Sequence, residues 1–263
     1  MTPRSALLNV MTKAVDKAAR ALKRDFGEVE QLQVSTKGPS DFVSNADLKS
    51  DRILREELAK ARPGFGFLTE ESGTIAGSDA DHRWIIDPLD GTTNFLHGLP
   101  HFAISVALEK SGEIVAGVVY DPIKNEMFVA EKGGGAFLND RRLRVSARKN
   151  LGESVLGTGI PFRGHGDRES FIKQLDAAMR ETAGVRRWGT ASLDLAYVAA
   201  GRYEGFWEEG LSAWDVAAGI LLVREAGGYV SDLKGGQNAL HGGSLLASNG
   251  LLHAPLQSLL KPH

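Results

Sequence analysis

Trp84-Ile85-Ile86-Asp87-Pro88-Leu89-Asp90-Gly91-Thr92-Thr93-Asn94-Phe95 is the stretch on which the reading of this chain turns. Its first three residues are apolar and β-rich, the composition of a short buried strand. That strand is expected to end at Asp87, because Pro88 forces an extended or turn geometry. Asp90 to Thr93 then look like the start of a helix, with Asp90 able to cap its free N–H groups. Gly91 lets a ligand approach the backbone, and a helix N-terminus favours an anion. Two carboxylates three residues apart at a strand exit can converge on one point. On spacing alone, a turn in which both are merely caps explains them as well.

Further carboxylates shift that balance. Glu70 and Glu71 follow the apolar run Phe65-Gly66-Phe67-Leu68 and sit where a strand would end. Asp215 follows Trp214 at the start of a helix. Buried carboxylates clustered together raise one another's pKa and resist ionising. Divalent cations remove that cost, and all-oxygen ligands suit magnesium, calcium or manganese rather than zinc. The chain has no cysteine, which excludes disulfides, thiolate zinc sites and a cysteine nucleophile together.

Working outward, Leu8, Met11, Val15, Ala19, Leu22 and Phe26 recur at helical spacing and predict an amphipathic helix ending at Gly27. A second helix is expected from about Asp47 to Ala61. Ser44-Asn45-Ala46-Asp47 reads as a capping box before it, and Pro63-Gly64 as its stop. Ala103 to Leu108, Ile114 to Tyr120 and Met127 to Ala130 predict an antiparallel meander. Gly133-Gly134-Gly135 reads as a strand connection rather than a phosphate cradle, since no helix follows. After Asn150 strands and helices alternate. Strands are expected at 155–158, 185–188, 206–207, 229–230 and 245–247, with helices at 169–180, 192–200 and 214–226. The change of texture near residue 150 suggests an N-terminal α+β half (1–150) and a C-terminal α/β half (151–263) forming one compact unit. An α+β protein with stacked layers is predicted.

The bulk numbers narrow the function. At 263 residues, 42% hydrophobic and 24% charged, this is the profile of a soluble globular enzyme. A net charge of -2 gives no field that would draw in nucleic acid or an anionic membrane. An export signal and a membrane-spanning run are both missing from the sequence, so a cytoplasmic protein is expected. Arg141-Arg142-Leu143-Arg144 reads as a solvated turn beside a strand, and His97 and His101 as loop or core residues.

The segment WIIDPLDGTTNFLHG resembles the signature of the inositol monophosphatase family, lithium-sensitive, metal-dependent sugar phosphatases. Trp214-Asp215-Val216-Ala217-Ala218-Gly219 is similar to that family's second signature. Leu68-Thr69-Glu70-Glu71-Ser72-Gly73 resembles its glutamate turn, and Gly189-Thr190-Ala191-Ser192 its substrate loop. These motifs occur in family order across nearly the whole chain. The resemblance implies a five-layer αβαβα sandwich and two or three Mg2+ per site. The first ion would be held by Glu70, Asp87 and the Leu89 carbonyl. The second would be held by Asp87, Asp90 and Asp215. The resemblance further implies that Gly91 and Thr92 hold the substrate phosphate through their backbone, while Glu70 and the Thr92 hydroxyl orient the attacking water. Asp47 matches a residue that polarises this threonine; from the sequence it is equally the third residue of a capping box. Lys37 matches a loop lysine near a third ion, or is a plain solvated lysine.

On the substrate side, Glu208 matches a glutamate that bonds an inositol hydroxyl, although Glu209 stands where the pattern has an uncharged residue. Asp90, Thr190, Ala191 and Asp215 would line the same pocket. Thr190 can also be read as a helix cap. The implied reaction is hydrolysis of inositol monophosphate by a homodimer. Relatives acting on histidinol phosphate, fructose 1,6-bisphosphate, NADP or 3′-phosphoadenosine nucleotides would share the metal machinery, since fold does not fix substrate. A reading of another class is a regulatory protein that partners the transcription machinery.

Overall fold

The computed structural model describes residues 5–28, 34–38, 41–161 and 167–261. Ser5 accepts the Leu8 N–H at 3.1 Å and so opens helix α1 (Ala6–Phe26), which is capped at Gly27. Leu8, Met11, Val15, Ala18 and Leu22 form its buried stripe. Strands β1 (Val34–Gly38) and β2 (Asp41–Ser44) make an antiparallel hairpin. Helix α2 (Asn45–Ala61) comes next, and the predicted capping box is present at its start. The Ser44 hydroxyl accepts the Ala46 N–H at 3.1 Å, and Asp47 accepts the Ser44 N–H at 2.9 Å.

The first sheet is built from β3 (Phe65–Thr69), β4 (Gly73–Ile75) and β5 (Asp79–Asp90). After helix α3 (Thr92–Leu96) come β6 (Ala103–Lys110), β7 (Glu113–Asp121), β8 (Glu126–Glu131), β9 (Gly135–Leu138) and β10 (Arg141–Arg142). Its order is β10-β9-β8-β7-β6-β5-β3-β4. The run from β6 to β8 is the expected antiparallel meander, continued antiparallel by β5 on one side and by β9 and β10 on the other, whereas β3 lies parallel to β5. Among β11 (Val155–Thr158), α4 (Arg168–Glu181), β12 (Gly184–Arg186), α5 (Ala191–Ala199), β13 (Gly205–Glu209), α6 (Ala213–Glu225), β14 (Tyr229–Ser231), β15 (Ser244–Ser248) and α7 (His253–Leu259), the strands form a second sheet. Its order is β12-β11-β13-β15-β14.

Side-chain alternation sorts these elements into layers. On β5, Trp84 and Ile86 pack towards α1 and α2, while Ile85 packs with α5 and α6. On β13, Phe206 faces α5 and α6, whereas Trp207 faces the outer cluster with Phe171 of α4 and Leu256 of α7. The molecule is therefore an α+β sandwich of five layers: α1/α2, first sheet, α5/α6, second sheet, α4/α7. Among the described residues no helix is long and apolar enough to cross a membrane.

Several expectations need correction. Strand β5 does not end at Asp87 but pairs on to Asp90 across a bulge. Asp87 opposes Ser105 and Asp90 opposes Ala103, so three steps on β5 match two on β6. Pro88 sits in that bulge, where a missing N–H costs no ladder bond. The strand expected to reach Trp188 stops at Arg186. Arg141 and Arg142 form a short exposed edge strand rather than a turn. By contrast, Gly133–Gly135 does connect two strands as expected, and Glu225 accepts the Gly133 and Gly135 N–H groups at 2.8 Å each.

Candidate active site

Parallel pairing of β3 with β5 sets the first two carboxylates side by side. Thr69 is opposite Ile86, and the Glu70 N–H donates to the Ile86 carbonyl at 3.2 Å. Glu70 therefore leaves β3 at the level where Asp87 stands on β5. Asp87 is 1% exposed. Burial pushes its carboxyl well above the usual range, and Glu70, Asp90 and Asp215 add to that push. The Leu89 N–H, 3.0 Å from Asp87 Oδ1, pulls the other way.

Asp90 does not cap its own helix. The N-cap of α3 is Gly91, at φ 94 and ψ 35, with no side-chain cap. Asp90 instead accepts the Ser192 N–H at 2.7 Å, and so caps α5 from a different element. Burial raises its carboxyl to about 6, against the bonds from Ser192 and Ala191. Thr190 occupies the N-cap position of α5 but makes no cap bond there. Its hydroxyl donates to the His101 carbonyl at 3.1 Å. A threonine cap was one reading of the sequence; Asp90 holds that role. The close meeting of these loops explains the glycine. A Cβ on Gly91 would lie 2.6 Å from Thr190 Oγ1, and its φ suits no other residue well.

Asp215 enters from the first turn of α6, where its carboxylate accepts the Ser212 N–H at 2.7 Å. Burial, Asp90, Glu70 and Glu208 all push it upward. The Thr92 hydroxyl lies 2.9 Å from Asp47 Oδ1 and 3.0 Å from the Leu89 carbonyl. Asp47 is thus both a capping-box residue and a partner of Thr92. Burial raises its carboxyl, while bonds from Ser44 and Thr92 oppose the rise.

Glu208 and Glu209 part company at β13. Burial and the nearby Asp90 push Glu208 up to about 8, with Arg187 opposing. Its carboxylate folds over Gly159, where an added Cβ would fall 1.9 Å from it. Glu209 faces the opposite side and lies 3.4 Å from Gln174 of α4. Ala191 is buried beside Thr190 at the start of α5. The side chain of Lys37 lies outside the described residues.

Two further residues beside the site are not marked by the sequence. Asn94 donates at 2.8 Å to both the His101 and Trp188 carbonyls, clamping the loop before α5 to α3. Its place inside the signature was the available signal. Asp194 is buried at 1% exposure, with Oδ1 lacking a hydrogen-bond partner. Burial, then Glu208 and Asp90, hold its carboxyl well above the usual range. Its helical spacing among apolar residues gave nothing to mark it. His101 is a core residue, as read: burial lowers its pKa to about 4, and Lys124 Nζ lies 3.2 Å from Nδ1.

Whether these residues suit a divalent ion is a matter of donor chemistry. Glu70, Asp87, Asp90 and Asp215 act on one another electrostatically and offer only oxygen, as hard cations require. Among the described residues, no three such side chains are drawn around one point closely enough to hold an ion as they stand. The donors fit a hard cation, and binding would draw the carboxylates together.

Comparison with known proteins points the same way. The family model described as the inositol monophosphatase family matches residues 4–262. The chain is 60% identical to an inositol-1-monophosphatase of Mesorhizobium japonicum, covering 98% of each sequence. It is 45% identical to Nus factor SuhB of Pseudomonas aeruginosa, over 98% of this chain and 96% of that one. Among solved structures, the extragenic suppressor protein suhB of Bartonella henselae superposes with a TM-score of 0.96 at 56% identity. That match covers 98% of this chain and 99% of the other.

Proposed function

This chain belongs to the inositol monophosphatase family, a metal-dependent family, and from that premise we propose a cytoplasmic, Mg2+-dependent phosphomonoesterase that hydrolyses inositol monophosphate. The observation that supports the reading is electrostatic: Glu70, Asp90 and Asp215, from three separate elements, all raise the buried Asp87 carboxyl, and Asp90 and Glu70 raise that of Asp215. Such a set is stable as anions only with cations among them. Glu70, Asp87 and the Leu89 carbonyl would hold one ion, and Asp87, Asp90 and Asp215 a second. A third ion near Glu70, lithium sensitivity and a homodimer follow from family resemblance. When bound, the ions supply charge that neutralises the phosphoryl oxygens and makes water acidic enough to attack.

The remaining work falls to side chains of the protein. Asp47 fixes the Thr92 hydroxyl at 2.9 Å, so its oxygen is oriented to take a hydrogen bond from the attacking water. Glu70 orients the same water from the end of β3. The N–H groups of Gly91 and Thr92 would bind the phosphate. Thr190 and Ala191 line the pocket for the alcohol, and Glu208 accepts a hydroxyl of the polyol. Release of phosphate from inositol monophosphate in Mg2+, against a panel with histidinol phosphate, fructose 1,6-bisphosphate and NADP, tests the assignment. A higher kcat/KM for one of the others would move the substrate and leave the metal chemistry.

A second reading rests on the relative named Nus factor SuhB. In it the chain binds the transcription machinery alongside its catalytic role. Pull-down from lysate with wild type and with Asp90→Asn separates the two, since a partner held equally by both does not depend on catalysis.

A further inference from the structure

Helix α2 carries three buried polar residues, Asp47, Ser50 and Asp51, spaced so that they share one face. Each reaches a different part of the site. Asp47 holds Thr92 at 2.9 Å. The Ser50 hydroxyl donates to the Pro88 carbonyl at 2.8 Å, inside the β5 bulge between Asp87 and Asp90. Asp51 Oδ2 accepts the Ser72 hydroxyl at 2.7 Å, just beyond Glu70 and Glu71. Only the first of these is explained by the proposed chemistry.

We infer that Asp51 is a positioning residue for Glu70, holding the β3–β4 turn at the distance from β5 that ion binding needs. The inference rests on the phosphatase reading, because it assigns Asp51 its role through Glu70. Two bonds shape the turn from the side of the sheet. Ser72 is tied back by its N–H to Thr69 Oγ1 at 2.8 Å, which closes the turn upon itself. The Glu70 N–H to the Ile86 carbonyl fixes its start on the sheet. The bond to Asp51 ties its far side to α2. Asp51 is itself held by Arg55, whose Nε lies 2.7 Å from the same Oδ2 one helical turn on. It is 1% exposed, and its Oδ1 has no hydrogen-bond partner. A buried carboxylate with one unmatched oxygen carries a desolvation cost that the Arg55 pair and the Ser72 bond must offset. Its presence beside the turn is accounted for by a charged, short and directional hold on Ser72. Groups that orient ion ligands from behind typically change ion affinity by roughly 10- to 100-fold when removed.

The test is magnesium binding by isothermal titration calorimetry, with no substrate present, on wild type, Ser72→Ala, Asp51→Ala and the double variant. Ser72 is exposed, so Ser72→Ala breaks the bond without disturbing the core, even if Asp51→Ala folds poorly. Each single variant is expected to weaken Mg2+ binding by about tenfold. The double variant should be no weaker than the worse single one, because both remove the same bond. Saturating Mg2+ should then restore most of kcat. A lowered Tm with an unchanged Kd for Mg2+ would show that Asp51 is structural only, and would overturn the inference. Fully additive losses would overturn it too. A wild-type protein that binds no Mg2+ would overturn the metal reading itself, a result distinct from wild-type binding that the variants leave untouched.

Discussion

At β13 the pleat sends Glu208 towards Asp90 and Glu209 towards Gln174, so altering the two neighbours tests different things. An ionised carboxylate bonded to a substrate hydroxyl is worth about 1.5–3 kcal/mol. Glu208→Gln, assayed at about pH 9 where a group raised to about 8 is ionised, should therefore lower kcat/KM for inositol monophosphate roughly 10- to 150-fold. The effect on p-nitrophenyl phosphate, which has no hydroxyl to offer, should be small. Glu209→Gln should behave like wild type, and a loss there instead would place the polyol on the wrong face of the strand. Asp90→Asn makes a sharper case. An amide oxygen can still accept the Ser192 N–H, so α5 keeps its cap and the fold should persist by circular dichroism. The missing charge should nevertheless reduce turnover to near zero. A folded Asp90→Asn enzyme with more than about a tenth of wild-type kcat would contradict its role as an ion ligand.

Among the elements, the junction between β5 and α3 was the part least open to local reading. The sequence marks an apolar strand, a proline and a glycine, and suggests that the strand stops and that Asp90 caps the helix after it. In the fold, pairing with β6 carries β5 through Pro88 by a bulge, and Asp90 is directed across to α5. Both facts depend on partners more than ten residues away, which no local pattern encodes. The same is true of the bond from Asn94 to Trp188 and of the charges of Glu208 and Asp90 that act on Asp194. By contrast, the capping box at Ser44 and Asp47, the limits of α1 and the meander of β6 to β8 are governed by near neighbours, and were legible. Helix α7 and the strands β1, β2, β4, β9 and β10 were not read, being short and weakly periodic. The junction is also where a single methyl group should be costly. Gly91→Ala places a Cβ 2.6 Å from Thr190 Oγ1 at a φ of 94. The left-handed conformation alone costs an alanine about 1–2 kcal/mol, which corresponds to a Tm lower by roughly 2 to 8 °C. Phosphatase activity should fall with it, as Thr190 is displaced. An unchanged Tm would mean that the two loops are not packed as described.

At the scale of the whole molecule, five layers bring Glu70, Asp87, Asp90 and Asp215 towards one edge, where burial raises the carboxyls of Asp87, Asp90 and Asp215 and repulsion adds to the rise at Asp87 and Asp215. The consequence for stability has a definite sign. A carboxylate with a folded pKa above its unfolded value favours folding at low pH and loses that contribution as pH rises through the folded pKa. Asp90, raised to about 6, and Glu208, raised to about 8, place that loss between about pH 4 and pH 8, with Asp87 and Asp215 acting in the same direction. In EDTA, the Tm near pH 5 should accordingly exceed that near pH 8, and Mg2+ should raise the pH 8 value by at least about 4 °C. Equal metal-free melts at both pH values would show that these groups do not repel one another in the folded chain. The central claim, that this edge is a metal-dependent phosphatase site for a small phosphorylated polyol, is tested most directly by one assay. Phosphate release from inositol monophosphate is measured in Mg2+, then in excess EDTA, then after Mg2+ is restored. Turnover should vanish with the chelator and return with the metal; undiminished release in EDTA would show that catalysis here needs no divalent ion.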